Sequence, residues 1–194
     1  MRVAIVKYNA GNTGSVSNAL NRLGIEPVIT DAPAEITSAD RVIFPGVGEA
    51  STAMTYLIET GLDQVFRSLK QPVLGICLGM QLLCEHSDEN DTECLGIIPG
   101  NVKRFPDDRL KVPHMGWNTT NGMQGPLFDG VDEDTYFYFI HGYFVEATEA
   151  ATARCTYGEG FTAAVQKDNF YGVQFHPEKS GAAGERLLAN FLNL

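Results

Sequence analysis

The stretch Val73-Leu74-Gly75-Ile76-Cys77-Leu78-Gly79-Met80-Gln81-Leu82-Leu83 constrains the fold more than any other part of the chain. Its first half is an apolar run after Pro72, the pattern of a strand buried on both faces. Its second half, Met80 to Leu83, consists of good helix formers. Cys77 sits at the join, with glycines two residues before and two after. A G-x-nucleophile-x-G turn between strand and helix is a nucleophile elbow. The glycines let backbones pack closely while the central side chain projects from the turn. Cys in place of the more usual Ser suits thiolate chemistry, because unpaired N–H groups at a helix N-terminus favour an anion. The competing reading is a small apolar Cys packed beneath a helix.

Elements before the elbow alternate. Val3 to Tyr8 reads as a strand, followed by the glycine-containing loop Tyr8–Ser15. Val16, Ala19, Leu20 and Leu23 fall at helical spacing, and Gly24 is a plausible stop. Glu26–Thr30 and Arg41–Phe44 read as strands, the second ending in Pro45-Gly46-Val47-Gly48. Helical patterns fill about 49–59 and 62–70. Such β/α alternation predicts an α/β fold of three layers, with a mostly parallel central sheet. Ligands then bind beyond the carboxyl ends of the strands, where the loops after Tyr8, after Phe44 and at Cys77 converge. The second half adds antiparallel strands. Thr135–Ile140 is strand-like, Ala151–Tyr157 and Phe161–Lys167 flank a Gly158-Glu159-Gly160 turn, and Phe170–Phe175 is the last strand. Gly184–Leu192 reads as a closing amphipathic helix. Residues 1–194 are expected to form one domain.

Composition removes several function classes. A net charge of −10 disfavours nucleic acid and anionic membrane as partners, since both demand basic surface. No apolar run approaches the roughly 18 residues of a membrane span. Cys77, Cys84, Cys94 and Cys155 form no C-x-x-C pair, so neither a metal site nor a cofactor is expected from them. If Cys77 and Cys84, seven apart, sit on one helix, they lie about 10 Å apart along it, beyond disulfide reach. A reduced, cytoplasmic protein is expected.

A second chemical feature stands at the end of the last strand, Phe175-His176-Pro177-Glu178. In an extended segment His176 and Glu178 project to the same side, and Pro177 stiffens the pair. A carboxylate beside an imidazole fixes its tautomer and stabilises its charged form. His176 is then fit to accept a proton from Cys77 and return it to a leaving group. Alone, the pair reads more readily as a surface His with a helix-capping Glu. It gains weight from the elbow in the same chain.

Cys, His and Glu in this order, within Gly75-Ile76-Cys77-Leu78-Gly79-Met80-Gln81 and Gln174-Phe175-His176-Pro177-Glu178, resemble the class I glutamine amidotransferases. The resemblance covers nearly the whole chain and implies their flavodoxin-like fold. Within that class, five stretches look like the glutaminase subunits of imidazole glycerol phosphate synthase, of histidine biosynthesis. They are Tyr8–Val16, Pro45–Gly48, His114-Met115-Gly116-Trp117-Asn118, Tyr138–Tyr143 and His176–Ser180. Asn9 and Gly142 depart from the usual family residues.

The resemblance implies roles. Cys77 is the nucleophile, His176 the base and acid, and Glu178 its orienter. Backbone N–H groups of Leu78 and of Val47 or Gly48 form the oxyanion hole, the latter after a peptide reorientation. Gly46, Gln81, Glu89, His141, Gly142 and Tyr143 contact L-glutamine, and Glu89 takes its amino group. Asn12, Tyr138 and Lys179 belong to the interface with a (β/α)8-barrel synthase subunit that receives the ammonia. Two alternatives stay open at this level: an amidotransferase of another pathway, of anthranilate, aminodeoxychorismate or pyridoxal phosphate type, and a silent scaffold that only docks a partner.

Overall fold

The computed structural model describes residues 1–9 and 11–194; Ala10, in the first loop, lies outside the described residues. The strands, in chain order, are β1 (Val3–Val6), β2 (Val28–Thr30), β3 (Arg41–Gly46), β4 (Val73–Cys77), β5 (His86–Ser87), β6 (Thr92–Glu93), β7 (Asn101–Arg104), β8 (His114–Thr120), β9 (Thr135–His141), β10 (Tyr143–Val145), β11 (Ala151–Tyr157), β12 (Glu159–Lys167) and β13 (Phe170–Val173). The helices are α1 (Thr13–Arg22), α2 (Pro33–Ser38), α3 (Ala50–Glu59), α4 (Leu62–Ser68), α5 (Leu78–Leu83) and α6 (Gly181–Leu192).

Among the described residues the main sheet has eleven strands, ordered β2-β1-β3-β4-β13-β12-β10-β7-β5-β6, with β11 paired to β12. The run from β2 to β13 is parallel throughout. Beyond it β12, β10 and β7 are antiparallel, and only β5 pairs with β7 in parallel. A separate two-stranded sheet pairs β8 with β9. The α/β fold with a parallel centre and antiparallel additions is therefore as the sequence predicts.

Strand alternation produces the three layers. Ala4, Val6, Val42, Phe44 and Val73 join one core with residues of α2, α3, α4 and α5. Val3, Ile5, Ile43, Leu74 and Ile76 join the other, with Val16 and Leu20 of α1 and Leu187, Leu188 and Phe191 of α6. Central strands buried on both faces explain the near-continuous apolar runs of β1, β3 and β4.

The chain runs from β1 outward to β2, then returns past β1 to β3. This reversal opens a crevice at the carboxyl ends of the strands. Tyr8 follows β1 there, Gly46 ends β3, and Cys77 ends β4 in register with Gly46.

Several expected bounds shift: β1 ends at Val6, short of Tyr8, β2 starts at Val28 rather than Glu26, and β12 starts at Glu159, inside the expected turn. β3 continues through Pro45-Gly46, because Gly46 still pairs with Cys77. β13 ends at Val173, short of Phe175. The last helix starts at Gly181, with Gly184 inside it rather than opening it. A Cβ on Gly184 would lie 1.9 Å from the Pro177 carbonyl oxygen, so a glycine is required where α6 passes under that turn.

Candidate active site

The elbow is held by backbone contact. Cys77 has φ +54° and ψ −111°, an uncommon conformation for a side-chain-bearing residue. A Cβ on Gly79 would stand 1.8 Å from Phe44 O, and one on Gly75 would stand 2.8 Å from the Gly79 carbonyl. Both glycines let α5 lie directly on β3 and β4, which drives the turn tight enough to project Cys77. As the first residue of α5, Leu78 has an N–H without an intrahelical acceptor.

His176 and Glu178 come from a turn, not an extended segment. Residues Pro177–Lys179 form one 3-10 turn, and Lys179 N donates to His176 O at 3.0 Å. The turn nonetheless brings His176 Nδ1 to 2.8 Å from Glu178 Oε1, with both side chains 1% exposed. Since a carboxylate accepts, Nδ1 carries the proton. Nε2 has no hydrogen-bond partner among the described residues, which leaves it free for proton transfer. Burial alone would lower the imidazole pKa. Cys77 and Glu178 beside it outweigh that effect and raise it to about 10.

Cys77 opens onto a cleft of about 310 Å³, at the small end of the range for small-molecule sites. Val47, Gly48, Leu78, Gln81, Glu89, His141, Gly142 and Tyr143 line it, joined by Pro113 and Ile140. Two of the polar side chains lining it, Gln81 and Glu89, present acceptors. Gln81 donates Nε2 to Tyr143 O and to Gln174 Oε1, both at 2.9 Å, so only its Oε1 remains for a ligand. Glu89 Oε2 accepts the Ala50 N–H at 2.7 Å, at the start of α3. Burial raises the Glu89 pKa, the Ala50 N–H opposes this, and Glu49 adds to it. A thiol and acceptors for a cation within one cleft suit an amino acid bearing a reactive side-chain carbonyl.

Comparison with known proteins decides the family. Residues 4–194 match the family Glutamine amidotransferase class-I. The imidazole glycerol phosphate synthase subunit HisH of Bacteroides fragilis strain YCH46 is 54% identical, and that of Escherichia coli K12 48%, each over 100% of both chains. The chain belongs to the class-I glutamine amidotransferase family. Solved structures agree on the fold of this amidotransferase. PurLQS from Thermotoga maritima superposes with TM-score 0.74 at 18% identity, covering 99% of this chain and 97% of that one. Another solved glutamine amidotransferase gives 0.73 at 22% identity, covering 98% and 97%.

The residues expected at the site divide by position. Gly46 does not line the cleft, and its role is spatial: a Cβ there would meet Tyr8 Oη at 2.4 Å and Leu78 Cβ at 2.7 Å. Of the two glycines around Val47, only Gly48 has a positive φ, +118°. Asn12 donates Nδ2 to Glu178 Oε1 at 3.3 Å. Tyr138 accepts the His176 N–H on its carbonyl at 2.9 Å, and Lys179 Nζ lies 5.9 Å from its ring centroid. The three residues expected at the partner interface therefore touch the His-Glu segment. The outer face of β8 and β9 carries Met115, Trp117 and Tyr136, each more than half exposed, and Trp117 packs edge-on against Tyr138.

Behind the cleft of this amidotransferase, His141 is tied to two residues to which the sequence assigned no role, His114 and Asn118. His114 Nδ1 lies 3.0 Å from His141 Nε2, and His141 Nδ1 lies 2.7 Å from Tyr143 O. The carbonyl only accepts, so His141 carries its proton on Nδ1 and His114 must donate from Nδ1. Asn118 Nδ2 completes the chain at His114 Nε2, 3.3 Å away. Burial lowers these imidazoles to about 4 for His114 and about 3 for His141, keeping both neutral. In sequence this pair is 27 residues apart; only the β8–β9 register, which sets His114 opposite His141, unites it. The remaining cysteines are free and buried, and burial raises the thiol of Cys84 and lifts Cys94 and Cys155 to about 12.

Proposed function

We propose that this chain is the glutaminase subunit of an imidazole glycerol phosphate synthase of histidine biosynthesis, with Cys77, His176 and Glu178 as its triad. One observation carries the assignment of roles: a Cys held at φ +54° in the lining of a cleft, beside a buried imidazole whose Nδ1 is fixed by a carboxylate at 2.8 Å. His176 Nε2 takes the Cys77 proton, and the sulfur attacks the side-chain amide carbon of glutamine. The Leu78 N–H and one from Val47 or Gly48 hold the oxyanion. The imidazolium then protonates the leaving nitrogen, ammonia departs and a glutamyl thioester remains. Water, deprotonated by His176, attacks the thioester; glutamate leaves and the thiol re-forms. Glu89 and Gln81 Oε1 are suited to the substrate ammonium.

The ammonia passes to a (β/α)8-barrel synthase subunit. That partner makes imidazole glycerol phosphate and an aminoimidazole carboxamide ribotide. The aromatic face of Trp117, Tyr136 and Tyr138, with Asn12 and Lys179 at its edge, is its docking surface. Val47, apolar and 42% exposed, marks the loop that completes the oxyanion hole on docking. Residues 1–194 act as one domain, and free thiols suit the reducing cytoplasm. No described helix is long and apolar enough to cross a membrane.

The test is glutamine hydrolysis by the chain alone and with the barrel subunit and its nucleotide substrate. Hydrolysis is expected to be slow alone and strongly raised in the complex. A Cys77→Ala complex is expected to use free ammonia but not glutamine; glutamine-dependent synthesis by that variant would overturn the assignment.

A further inference from the structure

The hydrogen bonds around Cys77 give a residue outside the triad a part in the chemistry. Gln174 follows β13, is fully buried, and places Nε2 3.6 Å from Cys77 Sγ. An amide side chain is ambiguous by itself, since oxygen and nitrogen are interchangeable in shape. Here the ambiguity is removed by a group that cannot flip. Tyr143 O is a backbone acceptor, so Gln81 must turn its nitrogen toward it, at 2.9 Å. The same nitrogen lies 2.9 Å from Gln174, which must therefore present oxygen to Gln81. The nitrogen of Gln174 is left facing the sulfur. His141 Nδ1, also on Tyr143 O at 2.7 Å, fixes that carbonyl from its other side.

We propose that Gln174 is a positioning residue for the nucleophile, an N–H donor held on Cys77 Sγ by the relay Tyr143 O, Gln81 and Gln174, which favours the thiolate over the thiol. This deepens the proposed function and rests on Cys77 being its nucleophile. Two hydrogen-bond contacts of the sulfur among the described residues, besides its neighbour His176, act in opposite directions. Ile140 O, 3.7 Å away, can accept from a thiol but only repels a thiolate. Gln174 donates whichever form is present, and a donor to an anion is worth roughly twice a neutral one. The titratable groups that act on the sulfur are His176 after β13 and Tyr8 after β1; Glu178 sits behind His176, and His141 and Glu89 line the same cleft. Of these, Tyr8 is itself raised, by burial and then by Cys77, so it supplies no charge to stabilise the thiolate.

The test follows alkylation of Cys77 by iodoacetamide against pH, read on the Cys77 peptide by mass spectrometry, in the whole chain. Gln174→Met keeps the bulk and removes the donor. Its acid-side alkylation midpoint is expected to rise by about one pH unit, roughly a tenfold loss of thiolate at a fixed pH below the midpoint. Gln81→Met releases the Gln174 amide and is expected to move the midpoint in the same direction. The double variant is expected to be no worse than Gln174→Met, because the relay acts as one unit. A folded Gln174→Met chain with the parental midpoint overturns the proposal. If that chain fails to fold, an unmoved midpoint in Gln81→Met overturns it instead. Additive shifts in the double variant also overturn it. Alkylation reports the thiol whether or not glutamine is the substrate, so failure of the glutaminase reading and failure of the relay are separate results.

Discussion

Replacing Gly79 by Ala tests whether the elbow is set by backbone contact. The added Cβ would lie 1.8 Å from Phe44 O and 2.9 Å from Phe44 C. An ordinary carbon–oxygen contact is about 3.3 Å, so a gap of about 1.5 Å must open between α5 and β3. β3 cannot retreat, because the Phe44 ring is fully buried between Tyr8 and Phe66, with centroids at 5.2 and 4.3 Å. The helix must lift instead, carrying Leu78 and Cys77 with it. Overpacking of this kind costs about 3 kcal/mol. For a chain of this size that lowers Tm by roughly 6–12 °C. Displacement of reacting groups by about 1 Å costs on the order of 100-fold in rate, so glutamine hydrolysis in the complex should fall at least that far. Gly14→Ala is the matched control: nothing lies within 4 Å of its added Cβ on α1, and a gain of up to about 1 kcal/mol is expected. Urea unfolding and hydrolysis rates decide the matter. A Gly79→Ala chain within about 0.5 kcal/mol of the parent, with parental activity, would refute the argument.

Two further outcomes follow from the site. His114 and His141 titrate near 6.5 when unfolded but at about 4 and about 3 when folded, so the unfolded chain binds more protons as pH falls below 6.5. Their contribution to stability is complete above that pH and is lost toward pH 3–4, at up to about 1.4 kcal/mol per unit for each imidazole; His114→Gln should make the acid slope in urea titrations shallower, and an unchanged slope would contradict the assignment of two neutral rings. Trp117 is 55% exposed, so Trp117→Ala should leave the chain's own Tm nearly unchanged yet weaken binding to the proposed barrel subunit by about 2 kcal/mol or more, measured calorimetrically; equal affinity would remove this face from the proposed interface.

The elbow was legible because its requirements are local. Two glycines and a Cys at fixed spacing leave few backbones to choose from, and the close approaches at Gly75 and Gly79 are the ones that spacing demands. The adjacency of His176 and Glu178 was legible too, but its geometry was not. Pro177 permits an extended segment and a tight turn alike, and the choice is made by α6 and Gly184 packing beneath it. The Gln81–Gln174 contact required knowing that β13 lies beside β4, a pairing between segments nearly a hundred residues apart. Glu89 sits in a charge run whose sequence gives no hint that one carboxylate receives the first N–H of α3. Local chemistry was therefore readable where the backbone is self-sufficient, and unreadable where register between distant strands decides which polar atoms meet.

Ser180 offers a way to separate docking from catalysis. Its Oγ donates to His176 O at 2.7 Å and accepts the Tyr138 N–H at 3.0 Å, while His176 N donates to Tyr138 O at 2.9 Å. His176 and the aromatic face proposed for docking are thus joined through two backbone ties, and one hydroxyl serves one of them. Ser180 is 2% exposed, so Ser180→Ala leaves a buried N–H and carbonyl without this partner, at a cost of about 1–3 kcal/mol in stability. No atom of the Trp117 and Tyr136 surface is removed, so affinity for the barrel subunit should hold within about threefold. Activation should not, if docking acts by shifting Tyr138: the ratio of hydrolysis in the complex to hydrolysis alone is then expected to drop several-fold, because only the direct His176 N–Tyr138 O tie remains. Equal loss in the free chain and in the complex would show that Ser180 merely supports the fold, and that docking reaches the site by another path, the Val47 loop being the nearest.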